Sequence, residues 1–171
     1  RSLVAGRASD PSVDLGPVID EEAFQRILGA ISSAGLKPVQ GMVAGDLPDG
    51  LTIPATLFEE VPFDHRLFQE ELFGPVLAVA RVATFEEGLQ LANAHDYGLT
   101  GAVFSRHPGH LRLASRTFRV GNLYLNRGCT GSLVGRQPFG GFKQSGVGSK
   151  AGGPDYLRQF VVPRLVSENT L

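Results

Sequence analysis

The stretch LTGAVFSRHPGHLRLASRTFRVGNLYLN, residues 99–126, decides the fold class. Leu99–Ser105 reads as a strand, His110–Thr117 as a helix and Gly121–Asn126 as a second strand, with Leu123 and Leu125 on one face. A strand, a helix and another strand in that order build a parallel sheet, because the helix returns the chain across it. The same alternation runs upstream. Leu72–Val82, with Val76, Val79 and Val82 along it, reads as a buried strand. Thr84 then opens a helix: Thr84-Phe85-Glu86-Glu87 has the capping-box spacing, and Phe85, Leu89, Leu91 and Ala92 supply a core face. The expected class is α/β, a mostly parallel sheet with flanking helices.

Working outward, residues 1–17 read as loop. A helix follows, capped by Asp20 and stopped at Gly35, with Ala23, Phe24, Ile27, Leu28 and Ile31 at helical spacing. Short strands are expected around 38–44 and 55–59. On the other side, residues 128–153 hold nine of the chain's 22 glycines, a concentration that suits tight turns and close backbone approach. Tyr156–Val166 reads as a final strand.

Composition narrows the function classes. With 42% hydrophobic and 19% charged residues, the 171-residue chain can bury a core of about one ordinary domain. A net charge of −1 argues against a generic nucleic-acid surface. One cysteine excludes an internal disulfide framework and a multi-cysteine zinc site. The chain shows neither an apolar run of membrane-span length nor a secretory leader, so a soluble, reduced, cytoplasmic protein is the default expectation.

Several residues invite chemistry. Cys129, two residues from Arg127, is a candidate thiolate, weighed against the commoner free thiol beside a loop. His107 and His110 are three apart, but Pro108-Gly109 is expected to break a helix between them, so they read as solvated surface histidines. His65 and His95 offer no more. Asp64, Glu70 and Glu71 read as a solvated acidic face, yet Glu70-Glu71 run directly into apolar Leu72-Phe73-Gly74-Pro75, an unusual place for a carboxylate. Gly146-Val147-Gly148-Ser149-Lys150-Ala151 matches Gly-x-Gly-x-x-Ala, but without a preceding strand or a following helix it is rejected as a dinucleotide site.

Four ordered stretches together resemble the aldehyde dehydrogenase superfamily: Gln69-Glu70-Glu71-Leu72-Phe73-Gly74-Pro75-Val76, residues 96–105 (DYGLTGAVFS), residues 121–127 (GNLYLNR) and residues 137–146 (QPFGGFKQSG). Leu15-Gly16-Pro17-Val18-Ile19 is similar as well. Residues 130–141 (TGSLVGRQPFGG) and 150–157 (KAGGPDYL) resemble most the 1-pyrroline-5-carboxylate dehydrogenase branch. The resemblance implies oxidation of glutamate γ-semialdehyde to glutamate in proline breakdown, with NAD as cofactor. It implies thiolate attack on the aldehyde, hydride transfer and thioester hydrolysis.

The resemblance also assigns roles. Glu71 would hydrogen-bond the nicotinamide ribose, and Phe73 would pack beside the nicotinamide. Gly131 and Ser132 would bind the substrate α-carboxylate, in keeping with the affinity of backbone N–H turns for anions. Phe139 would line the aldehyde pocket. Cys129 is not the family nucleophile, which precedes the Glu71 motif, so this chain holds no catalytic nucleophile. The chain resembles roughly the last third of such an enzyme, with residues 1–155 as the later part of the catalytic domain, 156–171 as an oligomerisation tail, and no cofactor domain. Homo-oligomers through that tail are expected, with a small aldehyde as the other partner. Two alternatives stand beside this reading: a non-catalytic assembly remnant, and a phosphate-binding module resting on the Gly-rich loop.

Overall fold

A computed structural model of the chain describes residues 3–41, 50–130, 132–133 and 135–170. The chain divides into two compact units, Arg1–Val82 and Ala83–Leu171.

In the first unit, helix α1 (Glu21–Ser32) starts as expected. The Asp20 side chain accepts from the Ala23 N–H at 2.8 Å, and Glu21 and Glu22 occupy the positive end of the dipole. Gly35, at φ +67, turns the chain away after the helix ends. Strand β1 (Gln40–Gly41) pairs antiparallel with β2 (Thr56–Phe58). The rest of the strand expected over 38–44 lies outside the described residues. After the short helix α2 (Arg66–Gln69), β3 (Val76–Ala78) lies parallel to β2, Thr56 opposite Val76 and Phe58 opposite Ala78. Ala34, Phe58 and Val61 form the core, with Ile31, Leu67, Phe68 and Val76 packed around them.

Two expectations change here. The strand predicted over Leu72–Val82 shrinks to its middle, because Phe73 adopts φ +54 and Pro75 has no N–H to give a ladder. Hydrogen bonding resumes at the Pro75 carbonyl, which accepts from Thr56 N–H at 2.8 Å. His65 is informative after all. Its Nδ1 accepts from Leu67 N–H at 3.2 Å, capping α2, so Nε2 carries the proton and donates to the Ala34 carbonyl at 2.9 Å.

In the second unit, α3 (Phe85–Ala94) is capped by Thr84, whose hydroxyl accepts from Glu87 N–H at 3.1 Å, while Glu87 accepts from Ala83 N–H at 2.9 Å. Strand β4 (Tyr97–Gly98) precedes β5 (Thr100–Val103). Helix α4 (Pro108–Thr117) then returns the chain to β6 (Asn122–Leu125), parallel to β5 from Thr100–Asn122 to Val103–Leu125. This is the strand–helix–strand unit expected from residues 99–126. Pro108 opens α4 instead of breaking it, since the first helical position needs no N–H. His110 consequently sits inside the helix, half-buried and stacked on Phe85 at 4.2 Å between ring centroids, not solvated. Within β6 Tyr124 is buried and Leu125 exposed, so the face that Leu123 and Leu125 share is not the inward one.

The Gly-rich segment contributes β7 (Phe142–Lys143), antiparallel to β4, and a bridge between Phe139 and Ala151. Among the described residues the two longer pairings, β2–β3 and β5–β6, are parallel and the two short ones antiparallel, spread over three small sheets in place of the single sheet expected. The antiparallel pairs arise where loops fold the chain back without a helical crossover. The strand expected over Tyr156–Val166 does not form. Tyr156–Phe160 is a 3-10 helix, and 161–170 carry no regular element, because a strand needs a neighbouring edge and this segment has none here.

Candidate functional site

The expected site residues fall in both units, and each group is built locally. In the first unit, the 70–75 loop links α2 to β3. Glu70 is already committed: Arg66 Nη2 and Nε both donate to its Oε2, at 2.6 and 3.0 Å. Glu71 is exposed, and among the described residues no partner meets its carboxylate. The two adjacent acids are thereby separated, one structural and one free. Glu71 lies in the loop, not at the start of a strand as expected.

Phe73 combines two unusual properties. Its φ of +54 is costly for a bulky residue, on the order of 1–2 kcal/mol, and its side chain is 75% exposed. Neither burial nor a turn glycine accounts for a large apolar ring held this way. The loop is fixed from behind by α1. Arg26 Nη1 donates to the Leu72 carbonyl at 2.9 Å, and Gly74 lies against the fully buried Ile27, where a Cβ would sit 2.9 Å from Cδ1. A carboxylate and an aromatic face, both unsatisfied and two residues apart, suit a ribose diol and an adjoining flat ring.

In the second unit, the stretch after β6 lies beside a cleft of about 360 Å³. Tyr124, Arg127, Ser132 and Arg136 line it, and its described lining includes no carboxylate. The Ser132 hydroxyl is 3.0 Å from the Tyr124 hydroxyl, which sits on the buried face of β6. Arg127 donates from Nη2 to the Thr130 carbonyl at 3.0 Å, and its guanidinium lies 5.2 Å over the Tyr124 ring. Gly131 lies outside the described residues. Cys129 is exposed in this loop.

Asn122 braces the far wall, donating to the Pro138 carbonyl at 2.9 Å and accepting from Gly140 N–H at 3.3 Å. Phe139 is held by paired backbone bonds with Ala151, 2.9 and 3.0 Å, and its ring is 40% exposed. Lys150 Nζ donates to the Gly140 carbonyl at 2.6 Å and lies 4.2 Å from the Phe142 ring centroid. Burial lowers the Lys150 ammonium below its ordinary range. Residues 146–150 carry no regular element and no α-helix follows them among the described residues, so the Gly-x-Gly-x-x-Ala match is not a dinucleotide cradle.

Tyr124, Arg136 and Asn122 were not singled out from sequence. The alternation in Asn122-Leu123-Tyr124-Leu125 allows either face to point inward, and only the hydroxyl on Tyr124 hinted at a polar role.

The model of the aldehyde dehydrogenase family matches residues 1–166. The chain is 46% identical over 170 residues to 1-pyrroline-5-carboxylate dehydrogenase 2 of Halalkalibacterium halodurans, covering 98% of this chain and 33% of that protein. Among solved structures it is similar to proline utilization A from Bdellovibrio bacteriovorus, with TM-score 0.90, 48% identity, 99% of this chain and 18% of that one. It is also similar to a 1-pyrroline-5-carboxylate dehydrogenase from Thermus with bound NAD, with TM-score 0.84, 49% identity, 92% of this chain and 31% of that one. The chain thus spans about a third of the length of the curated relatives it matches. The family match over nearly all of its residues places it: the chain belongs to the aldehyde dehydrogenase family.

Proposed function

We propose that this chain is the C-terminal portion of an NAD-dependent 1-pyrroline-5-carboxylate dehydrogenase, which oxidises glutamate γ-semialdehyde to glutamate in proline catabolism. The observation that carries the substrate reading is the Ser132 hydroxyl, held 3.0 Å from that of Tyr124 in a cleft whose described lining has no carboxylate. A hydroxyl pair beside guanidinium groups favours an anionic end of a substrate, and Gly131 would add backbone donors. Phe139 would border the aldehyde end. Glu71 would accept from the nicotinamide ribose and Phe73 would pack against the nicotinamide. NAD, when bound, supplies the hydride acceptor. Relatives near 46% identity with this activity, and a solved relative holding NAD, support the assignment.

The chain's one cysteine follows the Glu71 motif and stands on the loop before Ser132. We therefore expect the purified 171 residues alone to show no aldehyde oxidation. NADH formation with 1-pyrroline-5-carboxylate, abolished by Cys129→Ala, would overturn that expectation. The tail favours a second, assembly reading: Val162 is 89% exposed and Leu165 90%, with Leu157, Phe160, Val161 and Val166 also exposed. Residues 156–171 would then join copies into homo-oligomers. A monodisperse monomer by light scattering argues against that role.

A further inference from the structure

We propose that Arg136 determines substrate specificity: with Arg127 it makes the cleft beside Ser132 a receptor for a carboxylate, selecting acidic aldehydes over neutral or cationic ones. The inference rests on the reading of Ser132 as the carboxylate anchor and assigns the charge that this anchor lacks. The chain as a whole is nearly balanced at −1, whereas the described lining of this cleft carries two guanidinium groups and no acid. A Tyr–Ser hydroxyl pair uses one proton between its own oxygens and offers one to a ligand, but it brings no charge to balance an anion.

The two arginines are prepared differently. Arg127 is already oriented by the Thr130 carbonyl and the Tyr124 face, so less side-chain entropy is lost when it meets an anion. Arg136 is fixed through its backbone. Its N–H donates to the Leu133 carbonyl at 3.0 Å, Gln137 N–H donates to the same oxygen at 2.8 Å, and the preceding Gly135 turns at φ +78. Among the described residues none pairs with the Arg136 guanidinium, so its fork of donors is available to match a carboxylate. A cleft of about 360 Å³, stiffened by Asn122, suits a small amino-acid-sized ligand.

The test is a titration of the 171-residue chain with L-glutamate, followed by NMR at the arginine Nε–H groups and the Ser132 amide. The Arg136 signal is assigned by its loss in Arg136→Lys. Expected is a saturable shift at Arg136, with affinity reduced about tenfold in Arg136→Gln and less in Arg136→Lys, which keeps the charge without the fork. Butylamine, which carries no carboxylate, should not distinguish wild type from Arg136→Gln. Wild-type glutamate affinity in Arg136→Gln overturns the proposal, while a loss in Ser132→Ala leaves the anchor reading standing. A loss in Arg136→Gln but not in Ser132→Ala keeps the receptor and moves its anchor from the hydroxyl to the guanidinium. No saturable shift in wild type overturns both.

Discussion

Replacing Gly74 by alanine tests whether α1 sets the position of the 70–75 loop. The added methyl would arrive 2.9 Å from Ile27 Cδ1, 3.0 Å from Cγ2 and 3.3 Å from Cγ1. Ile27 is fully buried and cannot swing away. The backbone at Gly74 is not in the left-handed region, so strain there adds nothing and the effect is one of packing. Overpacking of this kind costs about 1–3 kcal/mol, offset by about 0.5 kcal/mol from the stiffer unfolded chain. A net loss of about 1–2 kcal/mol follows, or about 2–4 °C in Tm per kcal/mol for a chain of this size. Ile27→Val removes Cδ1 and alone costs about 1 kcal/mol. In the double variant the two costs should fall short of their sum by about 0.5–1 kcal/mol. Urea unfolding should be followed by far-UV circular dichroism, because all three tyrosines (97, 124 and 156) lie in the second unit and their fluorescence does not report on the first. Costs that add fully would refute the contact as the cause.

Three further outcomes are expected. Phe73→Asn should raise the unfolding free energy in urea by about 0.5–1 kcal/mol, since asparagine tolerates φ near +54 and the lost ring is mostly exposed; a lower midpoint would show that the ring supports the fold. Asn122→Ala should cost about 1–2 kcal/mol by stranding the Pro138 carbonyl and Gly140 N–H, and faster amide exchange at Gly140 would locate the loss. Burial lowers the Lys150 pKa from the ordinary 10.5, so the folded chain binds fewer protons than the unfolded chain between the lowered value and 10.5. Stability relative to Lys150→Met therefore rises with pH through that window, and parallel pH profiles of the two urea midpoints would refute the linkage.

Where local chemistry governed, the sequence could be read directly. Asp20 and Thr84 cap the helices they were expected to cap, because a side-chain oxygen three residues before an N–H needs no tertiary information. Residues 99–126 form parallel strands around a helix for a similar reason: hydrophobic period and turn residues agree there. Tertiary context decided the rest. Pro108 can break a helix or begin one, and only the placement of Phe85 against His110 selects the second. The tail from Tyr156 has strand-forming residues but no edge to pair with. At the site, Glu71 was visible as a misplaced carboxylate at the head of an apolar run and Phe73 only through the family resemblance, and the left-handed backbone of Phe73 was not visible at all. Arg136 looked like any loop cation until the turn at Gly135 and the Ser132 cleft gave it surroundings.

The division into two compact units has an evolutionary consequence. The residues assigned to the cofactor, Glu71 and Phe73, belong to one unit, and those assigned to the substrate, Ser132, Arg136 and Phe139, to the other. The strain at Phe73 is held by Arg26 and Ile27, which belong to its own unit. On the proposed function, a lineage could change its diet by editing residues 127–139 while inheriting its redox partner intact. Substitutions on the two sides should accumulate at independent tempos.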